Sequence, residues 1–206
     1  MRLSRPSLAA AMSAVVLAFA APAFAQDAPS DNARGQDNAE MAAIFAADQA
    51  VRQNIDPQKF RDRAFVEQMH AADAARRVQT RALLDAGALK TGADYRAAAF
   101  VFQHGSTPED YLLAHSLAVA AVAKGDADAA WIAAATLDRY LQMTDKPQIY
   151  GTQTRKTRDA PATLEPYDRA LVPDSLRAVF GVPPQAEQDA RLAAVNAATE
   201  AATPKP

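Results

Sequence analysis

From Asn38 to Met143 apolar side chains recur every three to four positions, and proline and glycine cut the run into helix-sized lengths. Met41, Ile44, Phe45, Asp48 and Arg52 share one face of a first helix, predicted over 38–53, with Asp37 and Glu40 spaced as a capping box. A second helix is predicted over 58–86, ending at Gly87, and a third over 93–103, ending at His104-Gly105. The fourth has the clearest start: Thr107 as cap, Pro108 in the first position, then Glu109 and Asp110 at the positive end of the dipole. It stops at Lys124-Gly125, and a fifth helix runs from a cap at Asp126 to about Met143. Beyond Pro147 the texture changes. Residues 148–154 and 162–167 read as a small hairpin, followed by a short helix over 174–180 and a last one reaching about Ala198. The expected fold is mainly α: a compact helical bundle with a small β-hairpin in its C-terminal third.

The N-terminus carries a different pattern. Arg2 and Arg5 precede an apolar run from Leu8 to Ala20, and Ala23-Phe24-Ala25 supplies small residues where signal peptidase reads them. Residues 1–25 are therefore expected to be a signal peptide, cleaved after Ala25, and the product to be periplasmic or secreted. Residues 26–37 read as a flexible lead-in, 38–183 as the helical domain, and 184–206 as a terminal helix with a disordered tail from Thr199. No second long apolar run follows, so no membrane span is expected after cleavage.

Composition narrows the chemistry. Alanine fills 52 of the 206 positions, which favours helices that approach closely. Cysteine is absent, which excludes disulfides, thiolate zinc, iron–sulfur clusters, a cysteine nucleophile and a lipid-anchored lipoprotein. No glycine-rich phosphate loop is present, and no cofactor is implied. The formal net charge of −2 becomes −4 once the two basic residues of the signal leave, against a nucleic-acid partner. The cluster Arg155-Lys156-Thr157-Arg158 reads as a solvated loop or as a local attraction for an anion.

Polar residues on apolar faces are the candidates for function. Asp48 interrupts the stripe of the first helix and has Arg52 one turn on; an ordinary intrahelical ion pair is favoured over a carboxylate that faces a pocket. Asp138 does the same on the fifth helix beside Trp131, Ala134, Ala135 and Leu141, where a buried, hydrogen-bonded carboxylate is the alternative. His104 ends the third helix, where the dipole favours an imidazolium; a helix-capping role competes with a site role. His115 reads as a satisfied core histidine beside Leu112, Val119 and Val122. The Glu67-x-x-His70 spacing suits a carboxylate-bridged metal, but no second copy accompanies it, and no metal site is expected.

The segment Gln148-Ile149-Tyr150-Gly151-Thr152-Gln153 resembles the signature of a bacterial family classed as domain of unknown function 6624. Asp48-Gln49-Ala50-Val51-Arg52, Gln103-His104, Leu137-Asp138-Arg139, Leu164-Glu165-Pro166-Tyr167 and Pro173-Asp174-Ser175-Leu176-Arg177 resemble further family elements in the same order. Where that family often has a Gly-Trp-Pro-like turn after its second helix, this chain has Asp85-Ala86-Gly87-Ala88-Leu89. The resemblance implies a residue set rather than a reaction, adding Arg139, Gln148, Tyr150, Thr152 and Gln153 as ligand-binding candidates to Arg52.

Three readings follow. A binding module with a polar cleft for a small molecule or peptide is favoured, because no nucleophile or metal set completes a mechanism. A hydrolase-like enzyme would use His104 with Asp48 or Asp138 as its catalytic residues. In the third, the same residues form a buried structural network.

Overall fold

Helix caps set the architecture of the computed structural model, which describes residues 35–53, 56–156 and 160–202. Among them are seven α-helices: α1 (Ala39–Ala50), α2 (Arg63–Asp85), α3 (Gly92–Phe102), α4 (Pro108–Ala123), α5 (Ala130–Met143), α6 (Asp174–Val179) and α7 (Gln185–Ala202). Single 3-10 turns at Pro57–Arg61 and Ala127–Ala129 lead into α2 and α5. α3 and α4 both open on complete capping boxes, Thr91 with Asp94 and Thr107 with Asp110, and α4 carries Pro108 in its first turn. Asp94 also accepts the Asn38 and Lys90 amides, which ties the start of α1 to the start of α3. Burial pushes the Asp94 carboxyl up, yet the Lys90, Asn38 and Thr91 amides and the Thr91 side chain together hold it below the usual range.

α3, α4 and α5 run antiparallel in succession, with α1 and α2 packed on α3. Alanines make the layer: Ala98, Ala99, Ala114, Ala118, Ala121 and Ala133 are buried along the facing surfaces, with Met41, Val101, Phe102, Leu117 and Ile132 filling between them. Full burial of one such larger side chain is worth about 1.5–3 kcal/mol. A second, smaller cluster joins Ala134 of α5 to Tyr150, Val172 and Val182 from the C-terminal third.

Several expectations are corrected. Among the described residues there is no β-strand, and the expected hairpin is reduced to two isolated bridges, Gln148 with Tyr167 (parallel) and Arg155 with Thr163 (antiparallel). A ladder cannot form because the amides of Ile149, Tyr150 and Thr152 donate to the Asp138 carboxylate instead of to a neighbouring strand. The second helix does not start at Gln58: Asp62 caps α2 by accepting from Ala64 (2.9 Å), so a 3-10 turn precedes it. Asn38, not Asp37, caps α1, and Asp37 takes the Thr91 hydroxyl. Asp126 caps nothing and binds Arg96 at 2.7 Å. α7 continues to Ala202, past the expected start of the tail.

The faces of α4 are also exchanged. Leu112, Val119 and Val122 are 42–48% exposed, while Ala114, Ala118, Ala121 and Leu117 point inward. A helix with neighbours on two sides packs closest on its smallest residues. No helix among the described residues is long and apolar enough to cross a membrane. The expected signal peptide and all but the end of the lead-in lie outside the described residues.

Candidate functional site

Asp138 projects from α5 into the segment that follows that helix. Its carboxylate is fully buried and accepts the amides of Ile149 (2.8 Å), Tyr150 (3.0 Å) and Thr152 (2.9 Å) and the Thr152 hydroxyl (2.8 Å). Four donors occupy the lone pairs of an ionised carboxylate. On the other side of the same peptides stands Arg177, also fully buried, which donates to the carbonyls of Ile149 (3.1 Å), Tyr150 and Val172. Gln188 donates to the Tyr150 carbonyl as well (2.8 Å), and its own oxygen accepts the Tyr167 hydroxyl (3.0 Å).

Gln148 closes the other end. Its buried amide donates to the carbonyls of Gln153 (2.9 Å) and Leu164 and accepts the Gln153 amide (3.0 Å). Gln153 reaches back to the Ala135 carbonyl (3.3 Å) and the Thr152 hydroxyl (2.9 Å). Gly151 sits at φ +72°, and a Cβ there would lie 2.7 Å from the Tyr167 ring, so only glycine fits. Tyr150 packs on Phe180 with ring centroids 5.1 Å apart. Burial raises both the Tyr150 and Tyr167 phenols above their ordinary range, which keeps them neutral.

The second polar group lies between α1, α2 and the end of α3. Asp48 is fully buried; its carboxylate meets Gln49 (2.8 Å), Arg52 (3.1 Å), the His104 Nδ1 (3.1 Å) and Arg76 (3.4 Å). Arg52 also grips both oxygens of Asp73 (2.9 and 2.8 Å), and Arg76 reaches Asp73 too. Burial pushes the Asp48 carboxyl up, but the hydrogen bond and charge of His104, with Arg52 and Gln49, more than offset it and hold it below the usual carboxylate range. Unlike the Asp138 group this one opens to solvent: the side chains of Arg52 and His104 are 23% and 20% exposed. The His104 carbonyl accepts from Arg77 at 2.7 Å, which fixes the end of α3.

Atoms of Asp48, Asp73 and His104 lie within 4.8 Å of one another, a spacing compatible with a metal ion. The oxygens concerned already face two guanidiniums, and a divalent cation placed there would sit among like charges. The donor set therefore fits an ion-pair network better than a metal centre.

A cavity of about 240 Å³ opens elsewhere, between the start of α5, residues 151–154 and α7. Trp131, Leu164, Val182, Leu192 and Val195 form its apolar wall. Thr152, Thr154, Gln188 and Arg191 supply polar edges, and the backbone of Gly151 its floor.

The expected residues therefore divide. Asp48, Arg52 and His104 meet in one group; Asp138, Gln148, Tyr150, Thr152 and Gln153 meet in another, and no hydrogen bond joins the two among the described residues. Arg139 belongs to neither, for its buried Nε has no partner. Of the expected set only Thr152 lines the cavity. Sequence reasoning missed Asp73 and Arg76, although their spacing with Thr80 on a buried face of α2 is a readable signal. It also missed Arg177 and Gln188, which belong to a separate stretch of chain and give no local sign of their partners. No family model, curated protein or solved structure matches this chain.

Proposed function

We propose that this chain is an exported binding module whose ligand occupies the cavity between α5 and α7. The observation that carries the reading is the cavity itself: apolar on one wall, edged by a few hydrogen-bonding groups, and floored by the rigid segment that Asp138 and Arg177 hold. Its volume of about 240 Å³ suits one large side chain of a peptide or a small molecule of that size. Export rests on the Arg2-to-Ala25 pattern, and N-terminal sequencing of the secreted product would start at Gln26. We also propose membership of family 6624, which rests on the ordered series of sequence motifs alone.

Trp131 is the only tryptophan in the chain and is 43% exposed at the cavity rim, so its fluorescence reports occupancy directly. Compounds that raise the melting temperature are expected to shift Trp131 emission to shorter wavelength. Val195→Glu, at an exposed rim position, should abolish both effects. Stabilising compounds that leave the emission unchanged would place the site elsewhere.

One observation favours a second reading, a hydrolase-like enzyme. Asp48 meets His104 through Nδ1 at 3.1 Å, which orients the imidazole and leaves Nε2 for proton transfer. Asp138, with all its acceptor sites taken, is unavailable for that role. Screening against esters, amides and phosphoesters tests it: Asp48→Asn and His104→Ala should lower any activity together. Activity that survives His104→Ala sinks this reading.

A further inference from the structure

Two donors on α5 have no acceptor. The Arg139 Nε and the Gln142 side-chain nitrogen are both sealed from solvent and bonded to nothing. They stand three residues apart, which makes their side chains neighbours on the helix surface. Arg139 as a whole makes no hydrogen bond or ion pair among the described residues. Four other arginines withdrawn from water differ: Arg52, Arg76, Arg77 and Arg96 each face a carboxylate. A guanidinium partly withdrawn from water with no anion is costly to keep, and a second buried donor beside it adds to that cost.

Capping does not account for the pair. The carbonyls of Tyr140 and Leu141 already take the Thr144 hydroxyl (3.0 and 3.2 Å), and Leu141 also takes the Lys146 amide (2.8 Å). The Gln142 carbonyl takes Arg155 (3.2 Å). Arg155 brings a second guanidinium to this turn, and it too lacks a carboxylate partner among the described residues. Two full positive charges outweigh the roughly half negative charge of a helix C-terminus. Either orientation of the Gln142 amide leaves Arg139 without an anion. The antiparallel order of α3, α4 and α5, registered by His115 on the Ala133 carbonyl (2.9 Å), puts this turn where α3 stops and α4 begins.

We propose that Arg139 and Gln142, backed by Arg155, form a receptor for an oxyanion, the carboxylate or phosphoryl group of a small ligand. An oxyanion has the oxygens to offer an acceptor to each orphan donor, and its charge compensates the guanidinium. The cavity beside Trp131 is not required: Trp131 lies eight residues away on α5, roughly 12 Å along the axis.

Titration of the full chain with inorganic phosphate and, separately, with acetate tests this, chloride keeping the ionic strength constant. Saturable heat and a rise in melting temperature are expected for one probe over the other, which separates the two sources. Arg139→Gln should weaken that binding at least tenfold, and Gln142→Ala or Arg155→Gln a few-fold. Without the anion, Arg139→Gln should melt no lower than wild type, since it removes a half-buried charge that no anion pairs. Equal affinity in Arg139→Gln, no saturable binding of either probe, or a lower melting temperature for the anion-free variant would each overturn the proposal. Should Arg139→Gln fail to fold, Arg155→Gln and the Arg139 Nε–H NMR signal of wild type under titration decide it: an unmoved signal overturns the site.

Discussion

Asp138 and Asp48 are both fully buried carboxylates that interrupt the apolar face of a helix, yet their surroundings differ in kind. Asp138 binds backbone. Peptides 149–150 present their N–H groups to Asp138 and their carbonyls to Arg177, so an extended segment has side chains where a sheet would supply strands. An anion satisfied by amides and a cation satisfied by carbonyls leave nothing for a substrate to bind. Asp48 binds side chains. They include two arginines that also hold Asp73, and the group is partly open to water. The contrast separates a knot that determines where a chain segment lies from a network that can change protonation or partner while the helices stay in place.

The largest expected effect falls on the knot. Asp138→Ala orphans three amides and a hydroxyl, and should cost about 3–5 kcal/mol, read as a lower urea midpoint. A loss under about 1 kcal/mol would mean that other groups hold the segment, and the contrast with Asp48 would vanish. Glycine substitutions sharpen the same point. Gly151→Ala combines a positive φ with a clash against Tyr167 and should cost about 3 kcal/mol. Gly125→Ala, at φ +89° with nothing within 4 Å of the added carbon, carries only the backbone cost of about 1 kcal/mol. Equal losses at the two positions would show that backbone conformation, not the packing of the knot, sets the cost.

How much of this was legible depended on whether the signal was local. The start of α4 could be read from Thr107, Pro108 and Asp110 because capping involves neighbours in sequence. Asp48 and Asp138 stood out because polar groups on an apolar stripe show against the 3.6-residue period, and His104 because it ends a helix beside Gly105. The fate of the 148–153 amides could not be read: Ile149 and Tyr150 look like a strand, and the competing acceptor is a single side chain on α5. The inward face of α4 was misjudged because hydrophobicity ranks Leu112 and Val119 above alanine, whereas a helix between two neighbours is governed by size. The partnership of Asp73 with Arg52 spans 21 residues and that of Arg177 with Tyr150 spans 27, so neither shows in a periodic pattern, although Asp73 itself lies on a readable buried face of α2.

The smallest effects should come from the Asp48 network, and their pH dependence breaks or upholds the comparison. Asp48→Asn preserves shape and can still accept from Arg52, while Arg52 and Arg76 keep Asp73, so the loss should be about 1–2 kcal/mol at neutral pH. Because His104, Arg52 and Gln49 hold the folded carboxyl below its unfolded value of about 3.9, the unfolded chain binds more protons between the two values. The contribution is therefore fully present above the unfolded value and is lost as pH falls through the depressed folded one. Melting curves of wild type and Asp48→Asn should converge in that acid window and run parallel above it. A gap that persists unchanged down to pH 2 would mean that Asp48 acts through shape alone, as a second knot rather than as a titrating partner of His104.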